Sequence, residues 1–156
     1  MKTERREFKK DIKASLETVW NVLWHDDTYK VWTEPFAKGS KAISDWQEGS
    51  EVKFIAEDGT GMLSTVHTNE QYHKLYLVHE GLLTNGKLDT ENEYSTQWKG
   101  LREDYTLTQT DDITTLFIQM DIPLDYMEST TEAWPKGLEL IMEMAEGMTD
   151  EVKSVG

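Results

Sequence analysis

Between Leu16 and Trp24, the residues Leu16, Val19, Trp20, Leu23 and Trp24 fall at i, i+3, i+4, i+7 and i+8. That spacing predicts a helix with one apolar face. Ser15 stands where its hydroxyl can accept an orphan amide proton of the first turn. His25-Asp26-Asp27 interrupts the pattern and starts a second short helix, with Tyr29 and Trp32 on one side and its end before Pro35. Ahead of both, residues 3–12 set Phe8 and Ile12 among charged neighbours and predict a first strand.

Beyond residue 40 the period changes to two. A strand is expected over 40–46, then a Gln47-Glu48-Gly49 turn, then a strand in which Val52, Phe54 and Ala56 share a face. Asp58-Gly59 and Asn85-Gly86 are hairpin signals, since a primed two-residue turn needs positive φ. Further strands are expected at 61–68, 74–83, 102–110 and 114–122, the last two flanking Asp111-Asp112. About six strands in succession, joined by short connections, favour an antiparallel meander. Residues 87–100 carry no clear period.

The chain closes on a helical pattern over 125–148. Met127, Thr131, Trp134, Leu138, Ile141, Ala145 and Met148 form its apolar side, and Glu128, Glu132, Lys136, Glu139, Glu143 and Glu146 the opposite one. Pro135 inside it predicts a kink, with two helices meeting at Trp134-Pro135 as the alternative.

A chain of 156 residues suits one domain, spanning 1–156. It has no cysteine, which excludes disulfides, thiolate metal sites and cysteine nucleophiles. The formal charge of −14 argues against nucleic acid or anionic lipid as a partner. Lys2, Arg5, Arg6, Lys9 and Lys10 gather early, but Glu4, Glu7 and Asp11 interleave, so a solvated strand face is expected there. No run approaches the roughly 20 apolar residues of a membrane span, and Met1–Lys10 does not read as a signal peptide. A cytoplasmic protein without membrane insertion is the expectation.

Three stretches carry a resemblance: "IKASLETVWNVL", "KVWTEPF" and "TTEAWPKGLELIMEMAE". Together with the order of elements, they resemble the SRPBCC (START-like, Bet v 1-like) superfamily. Within it they are most similar to the branch of the carboxy-terminal domain of the heat-shock protein 90 ATPase activator. The resemblance implies an α+β helix-grip fold, in which a curved antiparallel sheet wraps around a long C-terminal helix and two short helices follow the first strand. Ala133 stands where the family often has glycine, and residues 86–100 are longer and more polar than its usual strand connection.

No nucleophile elbow, HExxH or phosphate-binding loop is present, and Gly59-Thr60-Gly61 reads as a hairpin tip. His67, His73 and His79 recur at steps of six, but a turn near Glu70-Gln71 pairs His67 with a residue near Lys74, so no metal site is expected. His79, among alternating apolar residues, is the candidate acid or base. Asp104, Asp121 and Asp125 read as solvated charge. The heavy use of Trp and Met admits two readings, a packed core or the wall of a cavity. With the resemblance, the cavity is expected between sheet and terminal helix. Its walls would be Trp24, Trp32, Phe54, Tyr76, Met120, Trp134 and Leu138, with His79, Tyr76 and Tyr105 orienting a small apolar or amphipathic ligand, a lipid among the possibilities. The alternatives are a chaperone-contacting module and a cyclase- or hydrolase-like enzyme using His79. No cofactor is expected.

Overall fold

A computed structural model describes the backbone of residues 2–155 and the side chains of residues 2–148. Strand β1 (Thr3–Ile12) leads into helices α1 (Leu16–Trp24) and α2 (Asp26–Trp32). Strands β2 (Lys41–Ile43), β3 (Glu51–Ile55), β4 (Gly61–Glu70), β5 (Lys74–Thr84) and β6 (Lys87–Leu88) follow. A short helix α3 (Glu93–Thr96), strands β7 (Arg102–Thr110) and β8 (Ile113–Pro123), and the long helix α4 (Leu124–Val155) complete the chain. The strands form one antiparallel sheet in the order β1-β8-β7-β5-β4-β3-β2, with β6 on the end of β5. The sheet is curved, and with α4 and the two helices after β1 it makes an α+β fold of the helix-grip kind.

Local chemistry sets the boundaries. The Ser15 hydroxyl accepts from the Thr18 amide at 3.2 Å and caps α1. His25 ends α1 by donating its own amide to the Asn21 carbonyl, and starts α2 by accepting the Asp27 amide on Nδ1. Asn85 and Gly86 take φ of 51° and 77°, the primed turn that reverses β5 into β6. Strand β2 is shorter than expected because the Ser44 hydroxyl accepts the Trp46 amide and Trp46 turns to φ 63°. Residues 87–100, which showed no period, hold β6 and α3.

One irregularity shapes the interior. Between the pairs Leu63↔Gly81 and Ser64↔His79 the register shifts, so that Glu80 is an extra residue opposite β4. Such a bulge inverts the facing of everything beyond it. Leu75, Leu77 and His79 point inward before it, and Leu82 after it.

Helix α4 runs through the exposed Pro135 as a single element, not as two helices. It lies on the sheet with Trp134, Leu138, Ile141 and Ala145 inward, against Leu75, Leu77, Leu107, Leu116 and Ile118. At Gly137 a Cβ would lie 3.1 Å from the Trp32 carbonyl oxygen and 3.2 Å from the Phe36 ring. Glycine therefore lets α4 close onto the end of α2. No helix among the described residues is long and apolar enough to cross a membrane.

Candidate functional site

Toward the amino-terminal end of α4 the core gives way to a cavity of about 290 Å³ between α4, α2 and the inner face of the sheet. Trp24, Trp32, Phe54, His79, Tyr105, Met120 and Trp134 all line it. The exposed residues Phe36 and Thr60 mark where it meets solvent.

Contact between rings holds the walls. Trp32 stacks on Trp134 with centroids 5.8 Å apart, and Phe36 meets Trp134 edge-on at 4.9 Å. Trp24 meets Tyr105 edge-on at 4.9 Å. Two indoles are also tied by their N–H groups: Trp32 donates to the Leu23 carbonyl at 3.1 Å, and Trp134 to the Met120 sulfur at 3.1 Å. The indole N–H groups of Trp24 and Trp98 are buried without a hydrogen bond. Trp98 stands near the Tyr126 hydroxyl without reaching hydrogen-bond geometry.

The floor is polar. Alternation along β7 turns Glu103 and Tyr105 inward, and the register of β5 brings His79 beside them. His79 is 2% exposed, with Nδ1 2.7 Å from the Ser64 hydroxyl and Nε2 3.3 Å from Glu103 Oε1. The second contact is close but poorly aligned, and leaves Nε2 short of a full hydrogen bond. With Nε2 carrying its hydrogen toward the carboxylate, Nδ1 accepts from Ser64. The Tyr105 hydroxyl donates to the other oxygen of Glu103 at 2.5 Å. Burial, reinforced by the Glu103 charge, raises the Tyr105 hydroxyl well above the usual phenol range and raises Tyr29 in the same way. Both phenols therefore remain protonated donors at neutral pH. Ser64 is fully buried and does not line the cavity, so it positions the imidazole.

Two residues expected in the wall lie elsewhere. Tyr76 sits on the opposite face of the sheet, its hydroxyl 3.3 Å from Thr106 Oγ1 and its ring under the Arg102 guanidinium at 5.8 Å. It lies three residues before His79 on one strand, and odd spacing puts the two on opposite faces. Leu138, one turn beyond Trp134, is packed in the solid part of the core.

Conversely, Tyr29, Phe36, Trp98, Glu103 and Tyr126 line the cavity and were not anticipated. Tyr126, Thr130 and Trp134 fall at i, i+4 and i+8, a signal that could have found Tyr126. Trp98 follows α3 in the stretch without a period.

Asp104 and Asp121 are not free solvated charges. On the convex face Asp104, 8% exposed, pairs with Arg5 at 3.2 Å and Arg102 at 3.1 Å. Asp121 pairs with Arg5 at 3.0 Å and accepts the Arg102 amide at 2.9 Å. Arg6 pairs with Glu4 and Lys10 with Glu139, so several of the early basic residues are partnered. His67 is the extra residue of a second bulge in β4, away from His79, and no group of three or more metal-ligating side chains is assembled among the described residues.

No protein-family model matches the chain, and no curated protein matches its sequence. Solved structures do share its fold. The Aha1 dimer from Colwellia psychrerythraea is similar at 19% identity and a TM-score of 0.70, over 92% of this chain and 96% of that one. Protein MLL2253 from Mesorhizobium loti is similar at 15% identity and a TM-score of 0.71, over 92% and 97%. DynU16, a protein of the dynemicin biosynthetic locus, is similar at 14% identity and a TM-score of 0.68. There the match covers 91% of this chain and 47% of that one.

Proposed function

We propose that this chain is a member of the SRPBCC superfamily that binds a small, ring-bearing, largely apolar molecule in the cavity between its sheet and α4. One observation carries the proposal. A space walled by aromatic side chains is left open between the sheet and α4, and a Ser64-His79-Glu103-Tyr105 chain of polar groups ends in it. Apolar walls with a few convergent polar groups are the usual composition of small-molecule sites. The volume limits the occupant. A cavity of about 150 Å³ accepts benzene, so 290 Å³ suits one or two rings rather than a long acyl chain.

The test is native mass spectrometry of the purified protein, joined to NMR of the indole N–H signals during titration with aromatic alcohols, ketones and flavonoids. The expected result is a retained small molecule or saturable shifts at Trp24, Trp32, Trp98 and Trp134. Static indole signals across the panel and no retained mass would refute it.

A second reading is favoured by the imidazole and carboxylate facing the same space, a pair suited to general acid–base chemistry on an enclosed substrate. His79→Ala should then abolish turnover while sparing the fold. The chaperone-contacting reading predicts capture of the chaperone together with no ligand-dependent change in melting temperature.

A further inference from the structure

The charge inventory of the cavity is lopsided. Among the described residues Glu103 is the one Asp or Glu that lines it, and no Lys or Arg does. The two arginines nearest along the sheet, Arg5 and Arg102, are committed to Asp104 and Asp121 on the other face. Among the described residues the Glu103 carboxylate is met by the poorly aligned His79 imidazole and by the Tyr105 hydroxyl, not by a Lys or Arg. Trp24, Trp32, Trp98, Tyr105 and Trp134 line the same cavity as this carboxylate. Several of these rings meet at steep angles, 74° for Trp24 with Tyr105 and 60° for Tyr105 with Trp134. The ring planes therefore run in different directions around the cavity.

A ring face carries negative potential and attracts a cation, the more so where water is excluded. A box of indole and phenol rings closed by a single carboxylate is therefore matched to an organic ammonium group. An anionic ligand meets like charge with no Lys or Arg among the described residues lining the cavity to receive it. The protein as a whole, at −14, draws cations toward its surface in the same sense.

We infer that the preferred occupant is a cation: a small aryl or alkyl amine or quaternary ammonium compound, its charge held by the Glu103 carboxylate and the surrounding indole faces. This rests on the ligand-binding reading above and narrows its ligand class.

The experiment compares three probes of similar shape by NMR of the tryptophan indole signals: benzyltrimethylammonium, its neutral isostere neopentylbenzene, and the anion phenylmethanesulfonate. The ammonium should bind at least about tenfold more tightly than the neutral isostere, and the sulfonate should leave the signals unmoved. Glu103→Gln should weaken the ammonium by about tenfold more than it changes the neutral isostere. Equal or tighter binding of the neutral isostere would overturn the cation assignment and leave the cavity reading standing. Binding of the sulfonate as tightly as the ammonium would overturn it as well. Signals unmoved by all three would overturn the cation assignment, and the cavity reading falls with it only if the alcohols, ketones and flavonoids also leave them static and no mass is retained. If Glu103→Gln does not fold, the comparison among probes on the unaltered protein still decides.

Discussion

Replacing Tyr105 by Phe tests the polar floor directly. The change keeps the ring, and with it the contacts to Trp24 and Trp134, and removes the one hydroxyl that donates to Glu103. A hydrogen bond to a charged group contributes about 1.5–3 kcal/mol. Glu103 borders the cavity with its side chain 18% exposed, so water can replace part of the lost partner. The lower half of that range is expected, about 1.5–2 kcal/mol. With a urea m-value of roughly 2 kcal/mol per M, the unfolding midpoint should fall by a little under ~1 M at constant m. Urea unfolding followed by tryptophan fluorescence measures this. Tyr76→Phe is the control, since its 3.3 Å bond lies on the convex face and a weak half-buried bond there is worth under about 0.5 kcal/mol. A Tyr105→Phe midpoint within about 0.2 M of the parent would show that the hydroxyl does not hold Glu103, and the account of the floor would fail with it.

Alkali should destabilise the fold through two phenols. Tyr29 and Tyr105 have folded values raised above the 10.0 of a free phenol. Their contribution is whole below pH 10 and is lost as the pH rises above it, because the unfolded chain releases protons that the folded one keeps; Tyr29→Phe and Tyr105→Phe should each flatten the fall in melting temperature above pH 10. Gly61→Ala should cost about 2 kcal/mol or more, since a Cβ there would lie 1.8 Å from the Phe54 carbonyl oxygen across the β3–β4 pair; a melting temperature equal to the parent's would contradict the register. Trp32→Phe removes the donor to the buried Leu23 carbonyl and should lower stability by about 1–3 kcal/mol, read from the same urea curves; no change would mean that carbonyl finds another partner.

Periodicity made much of this architecture readable. The i, i+3, i+4 spacing from Leu16 to Trp24 and the alternation of β3 and β5 each reflect a single buried face, and that is what a hydrophobic pattern records. What escaped was of another kind. Glu103 lies in "REDYTLTQT" on the same parity as Tyr105 and Leu107, so alternation pointed it inward, and only its charge spoke against placing it there. Asp104 is paired with Arg102 on its own strand and with Arg5, far away in sequence. Trp98 reaches the cavity through α3, a single turn too short to show a period. Tyr76 could have been placed correctly, since a strand that turns His79 inward must turn Tyr76 away.

The extra residue at Glu80 has a practical corollary for anyone reshaping this interior. Leu82 faces the cavity, beside Met62 of β4, only because that one unmatched position puts it out of phase with the inward run ending at His79. Deleting Glu80 would swing Leu82 out and its sequence neighbours in, recasting the rim of the chamber without a single substitution among the residues that now form it.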